Sequence, residues 1–247
     1  MSWDALALWG PDATRIERLT GGSANDVWSV RINGELAVAR LGRIGARSDA
    51  DQAWEAELLQ HLDRNGLTVP LPIPTTDGRL FANGLTVMRY MEGGPPNSAS
   101  DWRRVADTLR ELHRLTKDWP QRPGWRSSLD LLTADTGTRI DLNAMPREAV
   151  ARCRAAWARL AGRDTSVVHG NPDNPGNVRI TAGRVALIDW DEAHVDVPAL
   201  DLILPRNGAG LDDTEYDIAH QAQAAWEAAI CWKDDYAVRR LAEVRTV

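Results

Sequence analysis

The segment from Asp26 to Leu41 most constrains what this chain can become. Asp26-Val27-Trp28-Ser29-Val30-Arg31-Ile32 alternates apolar and polar residues, Asn33-Gly34 follows, and Glu35-Leu36-Ala37-Val38-Ala39-Arg40-Leu41 alternates again. A period of two turns one face of each segment toward a core, and Asn-Gly accepts the positive φ of a type I′ hairpin turn. Residues 15–42 therefore predict antiparallel strands with tight turns. Just before them, Leu19-Thr20-Gly21-Gly22-Ser23-Ala24-Asn25 places two glycines on a strand-to-strand turn, where backbone N–H groups can approach an anion closely.

The period then changes. Ser48-Asp49-Ala50-Asp51 predicts a helix start, Trp54, Leu58 and Leu62 recur every four residues, and Asn65-Gly66 predicts the stop. Leu85 to Met91 reads as one more strand, broken by Glu92-Gly93-Gly94-Pro95-Pro96. Beyond it helical spacing dominates. Ser100 is the expected cap of a helix with Trp102, Val105, Leu109, Leu112 and Thr116 on one face. Pro146 to Leu160 gives another helix, and Asp212 to Val247 a helical end with Ile218, Ala222, Trp226, Ile230 and Tyr236 as core positions. The expected architecture is α+β in two lobes, a small β-rich lobe over residues 1–92 and an α-rich lobe over residues 93–247.

The 247-residue chain is long enough for either lobe to bury a core. A net charge of -6 argues against a nucleic-acid binder, which needs a basic face, and is compatible with a cationic small-molecule partner. Cys153 and Cys231 are isolated, with no disulfide or metal spacing, so a reducing cytoplasm is expected. The start lacks the pattern of a signal peptide, and no apolar run reaches the roughly 18 residues a membrane span needs. Oligomeric state leaves no signature in the sequence.

Between the helical segments lies a polar stretch of different character, Val167-Val168-His169-Gly170-Asn171-Pro172-Asp173-Asn174-Pro175-Gly176-Asn177. Val178 to Ile180 and Val185 to Ile188 read as two short strands around a turn at Thr181-Ala182-Gly183-Arg184, with Asp189-Trp190-Asp191 after them. In simple register Ile180 faces Val185, and Asn177 and Asp189 come to the open end with Cα atoms within roughly 6 Å. An amide oxygen beside a carboxylate is a hard-oxygen set that suits Mg²⁺, whose shell is completed by water and phosphate.

His169-Gly170-Asn171 through Asn177, followed by Ile188-Asp189-Trp190, resembles the catalytic and metal loops of the aminoglycoside phosphotransferase and choline kinase family, relatives of the protein kinases. The resemblance implies a protein-kinase-like fold that moves the γ-phosphate of ATP or GTP, with Mg²⁺, to a hydroxyl of a small molecule. An aminoglycoside-like antibiotic is one such acceptor. Asn177 and Asp189 match the metal ligands. Gly21, Gly22, Ser23 and Asn25 match the nucleotide-covering loop, and Arg40 the cation on the phosphates. Glu55 matches that cation's acidic partner, with Glu57 a neighbouring substitute. Tyr90 and Met91 match the backbone that meets the base. His113 is expected to be a hydrogen-bonded structural residue, and Asp196 and Asp201 to brace the catalytic loop.

The catalytic position departs from the pattern. Asn171 stands where the family has Asp, and five residues rather than four separate it from Asn177. An amide orients a hydroxyl but takes no proton at neutral pH. Asp173 is the alternative base, and His169 is expected to tie the loop rather than act. Two readings stay open: a working small-molecule kinase, and a nucleotide-binding pseudokinase with a binding or regulatory role.

Overall fold

The computed structural model describes residues 3–19, 25–42, 47–137, 139–205 and 210–245. The chain divides into two compact units, Met1–Gly94 with Arg179–Ile188, and Pro95–Val178 with Asp189–Val247. The expected lobes were continuous, whereas here nearly the whole hairpin over Arg179–Ile188 clusters with the first unit. Gly94 and Ile180 exchange backbone hydrogen bonds at 3.1 and 2.7 Å, and Thr68 bridges Ala186.

The first unit opens with a 3-10 helix, Trp3–Trp9, that the sequence did not announce. Strands β1 (Thr14–Arg18), β2 (Asn25–Ile32) and β3 (Glu35–Gly42) follow, then helix α1 (Asp49–Arg64) and strand β4 (Leu85–Arg89). The four strands make one antiparallel sheet in the order β1-β2-β3-β4. Ile32 pairs Glu35 across Asn33 and Gly34, both at positive φ (50° and 85°), as Asn-Gly requires. Alternation then sorts β3 onto two faces. Ala37, Ala39 and Leu41 join Leu6, Trp9, Val30 and Val87 in an apolar core, while Arg40 lies opposite Thr86 of β4 on the face that meets α1. Ser48 caps α1 by accepting the Asp51 amide, and Asn65 with Gly66 (φ 90°) ends it.

The second unit is helix-rich. Helix α2 (Ala99–Leu115) is capped by Ser98 rather than by the expected Ser100. Ser98 Oγ accepts the Asp101 amide and Asp101 reaches back to the Ser98 amide, a reciprocal box that only Ser98 has the spacing to make. After two-residue strands β5 (Thr136–Gly137) and β6 (Ile140–Asp141) come α3 (Arg147–Ala158) and β7 (Ser166–Val168); the chain then runs through the hairpin β8 (Val178–Ile180) and β9 (Val185–Leu187), which past Val178 belongs to the first unit, before β10 (His194–Asp196), α4 (Asp213–Ile230) and α5 (Asp235–Glu243). Trp157, Leu160, Leu200, Ala222 and Trp226 build the core around α3 and α4. Tyr236, expected in that core, is instead exposed, because its hydroxyl donates to the Glu227 carboxylate. Among the described residues no helix is long and apolar enough to cross a membrane.

Candidate functional site

In the first unit, Arg40 sits within the sheet and faces inward. β3 is an interior strand, and Arg40 is buried with its guanidinium donating to Glu55 Oε1 at 2.5 Å. Glu57 is exposed on α1 and is not the partner. The other Glu55 oxygen accepts from Arg47, whose Nε also donates to Asp51 Oδ2 at 3.0 Å. Two guanidiniums and two carboxylates are thus interleaved, all nearly buried. Such an array persists because each charge keeps an opposite neighbour. Arg40, Arg47, Gln52, Glu55, Thr86 and Met88 are among the residues lining a cavity of about 10 Å³ there, room for about one water molecule.

Asn25 begins β2 opposite Gly42 and is buried. Gly21, Gly22 and Ser23 lie outside the described residues. β4 ends at Arg89, so Tyr90 and Met91 follow the strand rather than belong to it, and the Tyr90 side chain is exposed.

The second unit carries His169, Asn171, Asp173 and Asn177 between β7 and β8, and Asp189 after β9. β7 delivers the loop into a buried polar frame. Asp201 Oδ2 accepts the His169 amide at 2.7 Å and Asp201 Oδ1 the Gly170 amide at 3.0 Å, while His113 Nε2 meets Oδ2 at 2.9 Å. Burial would raise the Asp201 pKa, but His113 and the loop donors outweigh it and hold the carboxyl below its ordinary value. His169 is fully buried with its ring 4.8 Å from that of Trp190, a loop anchor. Gly170 has φ 94°, and a Cβ there would lie 2.7 Å from the Glu192 carbonyl oxygen.

The loop then folds on itself. Asn174 caps a 3-10 turn, Pro175–Asn177, and the buried Asn177 donates its Nδ2 to the Asn171 carbonyl at 2.9 Å. The atom left for a cation is Oδ1. The Thr181 amide donates to the Arg184 carbonyl at 3.0 Å, which sets Ile180 opposite Val185 in the hairpin. Asn177 immediately precedes β8, and Asp189 follows β9 by one residue. Asp189 is exposed and left-handed, φ 65° and ψ 65°, a conformation that costs a non-glycine residue about 1 kcal/mol and is best tolerated by Asp and Asn. Among the described residues no three His, Cys, Asp or Glu side chains gather as a metal cluster. A cation held by one carboxylate and one amide oxygen takes its other ligands from water and phosphate, which fits Mg²⁺ rather than a site made wholly of protein ligands.

Asp173 is open to solvent at its rim while protein atoms crowd its carboxyl group. That desolvation first, and the Glu227 and Asp201 carboxylates with it, push its pKa above the ordinary carboxylate value; Arg240 pulls the other way. Glu227 is tied to Arg240 Nε at 2.7 Å.

The sequence matches the description "Phosphotransferase enzyme family" across residues 15–241. The chain belongs to that family. The chain is 25% identical to an uncharacterized protein of Deinococcus radiodurans over 239 residues, covering 93% of the chain and 64% of the relative's length. Among solved structures, a choline kinase from Streptococcus pneumoniae matches with a TM-score of 0.69 at 16% identity, covering 95% of this chain and 92% of that one. A microcompartment-associated aminopropanol kinase gives 0.66 at 15% identity, over 98% and 92%. A gentamicin complex of an aminoglycoside phosphotransferase gives 0.62 at 14%, over 99% and 95%. These likenesses show that the chain has the protein-kinase-like α+β fold.

Three residues at these sites had escaped the sequence reading. Arg47 carried a faint signal, its four-residue spacing from Asp51 at a helix start. Glu227 and Arg122 carried none, since their partners lie far away along the chain.

Proposed function

We propose that this phosphotransferase moves the γ-phosphate of ATP, with Mg²⁺, to a hydroxyl of a small, amine-bearing acceptor. The observation that carries the reading is Asp173, a carboxylate on the same loop as Asn171 and the candidate metal ligand Asn177, with its pKa raised above the ordinary value. A carboxylate poised this way is a better proton acceptor than an ordinary one. In the second unit, Asp173 would take the proton of the acceptor hydroxyl as its oxygen attacks phosphorus. Asn171 would orient that hydroxyl, and His169 would hold the loop through its packing on Trp190. Asn177 Oδ1 and the Asp189 carboxylate would hold Mg²⁺, which neutralises phosphate charge when bound. In the first unit, Arg40 would grip the α- and β-phosphates with Glu55 setting its direction, Asn25 with Gly21, Gly22 and Ser23 would cover them, and the backbone at Tyr90 and Met91 would meet the base. The Glu227 carboxylate, whose field reaches Asp173, would favour a cationic acceptor, of which an aminoglycoside-like antibiotic is one.

Asn171 favours a second reading, a pseudokinase that binds nucleotide without turnover, because an amide cannot serve as base. Calorimetric titration of ATP with and without Mg²⁺, followed by turnover of hydroxyl acceptors, separates the two. Mg²⁺-dependent binding, with turnover lost in Asp173→Asn, supports the kinase. Binding without turnover that Asn171→Asp restores supports the pseudokinase. No binding in either condition overturns both.

A further inference from the structure

Arg122 lies in the irregular segment between α2 and α3, where sequence gave no reason to single it out, and only 1% of it is exposed. Its Nη1 lies within hydrogen-bond distance of three backbone carbonyls in the turn that follows Asp189: Trp190 at 3.2 Å, Asp191 at 3.1 Å and Ala193 at 2.7 Å. The guanidinium carbon sits 4.9 Å from the centre of the Trp125 ring. Gln121 fastens the same two stretches again. Its Oε1 accepts the amides of Arg122 (2.8 Å) and Val195 (3.0 Å), and its Nε2 donates to the Val195 carbonyl at 2.8 Å.

We propose that Arg122 is the positioning residue for the metal ligand Asp189, fixing the left-handed backbone from which that carboxylate projects. The inference rests on the phosphotransfer reading above. A left-handed non-glycine residue persists only where its surroundings over-determine it. The 3-10 turn Trp190–Glu192 closes only the Trp190 carbonyl on its own Ala193 amide, and the Arg122 Nη1, held by a planar guanidinium beside the Trp125 ring, reaches the carbonyls of Asp191 and Ala193 as well. An ammonium group ends a shorter, flexible stem and lacks the planar face that packs beside Trp125, so it holds its donors there less firmly. Arg122 acts by holding the turn that carries the ligand.

The test is calorimetry on the full chain, titrating ATP with and without Mg²⁺ into wild type, Arg122→Lys, Arg122→Met and the core control Cys153→Ala. The Mg²⁺-dependent gain in ATP affinity is expected to fall about tenfold or more in Arg122→Met and by less in Arg122→Lys, a loss typical for residues supporting a metal ligand. Mg²⁺-free ATP affinity is expected to stay at the wild-type value. Cys153→Ala should lower Tm while keeping the full gain. Arg122→Lys retains charge and bulk, so it carries the test if Arg122→Met does not fold. Undiminished Mg²⁺ dependence in the folded Arg122 variants, or an equal loss in Cys153→Ala, overturns the proposal alone. A wild-type protein with no Mg²⁺-dependent gain overturns the phosphotransfer reading and the proposal with it.

Discussion

Asp201 Oδ2 accepts the backbone amide of His169 at 2.7 Å across 32 residues of sequence. The same carboxylate takes the Gly170 amide and meets His113 of α2, so one buried side chain fixes where the proposed catalytic loop leaves β7. Removing a single partner from such a network leaves the others unpaired in a dry site. Asp201→Asn is expected to cost about 3 kcal/mol or more in urea unfolding. Because the Asp201 pKa is lowered, its stabilisation is complete above the unfolded value of about 3.9 and fades as pH falls through the lower folded value. The difference between wild type and Asp201→Asn should therefore hold from neutral pH down to about pH 4 and shrink only below it. A constant difference through that acid range would show that geometry, not charge, dominates.

Asp173 has the opposite sign. Its raised pKa means the fold disfavours the ionised form, so at neutral pH the charge detracts from stability. Asp173→Asn is expected to lower kcat by about 10² to 10⁴-fold, the usual worth of a general base, while Tm at pH 7 stays level or rises. The acid limb of kcat/KM should fall at a pH above the ordinary carboxylate range. A parallel loss of Tm and activity would mark Asp173 as structural.

Much of the fold could be read from period and punctuation. The Asn33-Gly34 hairpin and the Ser48-to-Gly66 helix appear where local chemistry placed them, because each is decided within a few residues. The cap of α2 was misplaced by two residues because Ser98 and Ser100 look alike until Asp101 selects one. The site was less legible. A buried Arg40, the second guanidinium on Glu55 and the grip of Arg122 all depend on side chains meeting across the fold, and no local pattern encodes that. Tyr236 kept helical spacing yet faces solvent, since spacing gives a face and not what covers it.

Glu55 is the acceptor shared by Arg40 and Arg47, whereas Asp51 serves Arg47 alone among the bonds described above. Replacing the shared carboxylate leaves two buried cations short of an anion. Glu55→Gln is expected to cost about 3 to 5 kcal/mol and Asp51→Asn clearly less, measured by urea unfolding of both variants. On the proposed function, Glu55→Gln also raises KM for ATP, through loss of the direction of Arg40. Equal costs for the two variants would mean that the four charges act as one unit rather than through Glu55.

Gly170 joins the anchored and the reactive parts of the loop. Its φ of 94° lies where side chains are strained, and an added Cβ would sit 2.7 Å from the Glu192 carbonyl oxygen and 2.9 Å from Glu192 Cβ. Both obstacles are the start of a side chain and backbone, neither of which can swing aside. Its amide must also stay on Asp201. Gly170→Ala is therefore expected to cost about 2 kcal/mol or more from strain and displacement together, seen as a lower urea midpoint. The shift should also displace Asn171 and Asp173, so turnover should fall further than the loss of folded protein explains. The comparison to make is kcat per folded molecule. A value equal to wild type would show that the loop absorbs the methyl group without moving its reactive end.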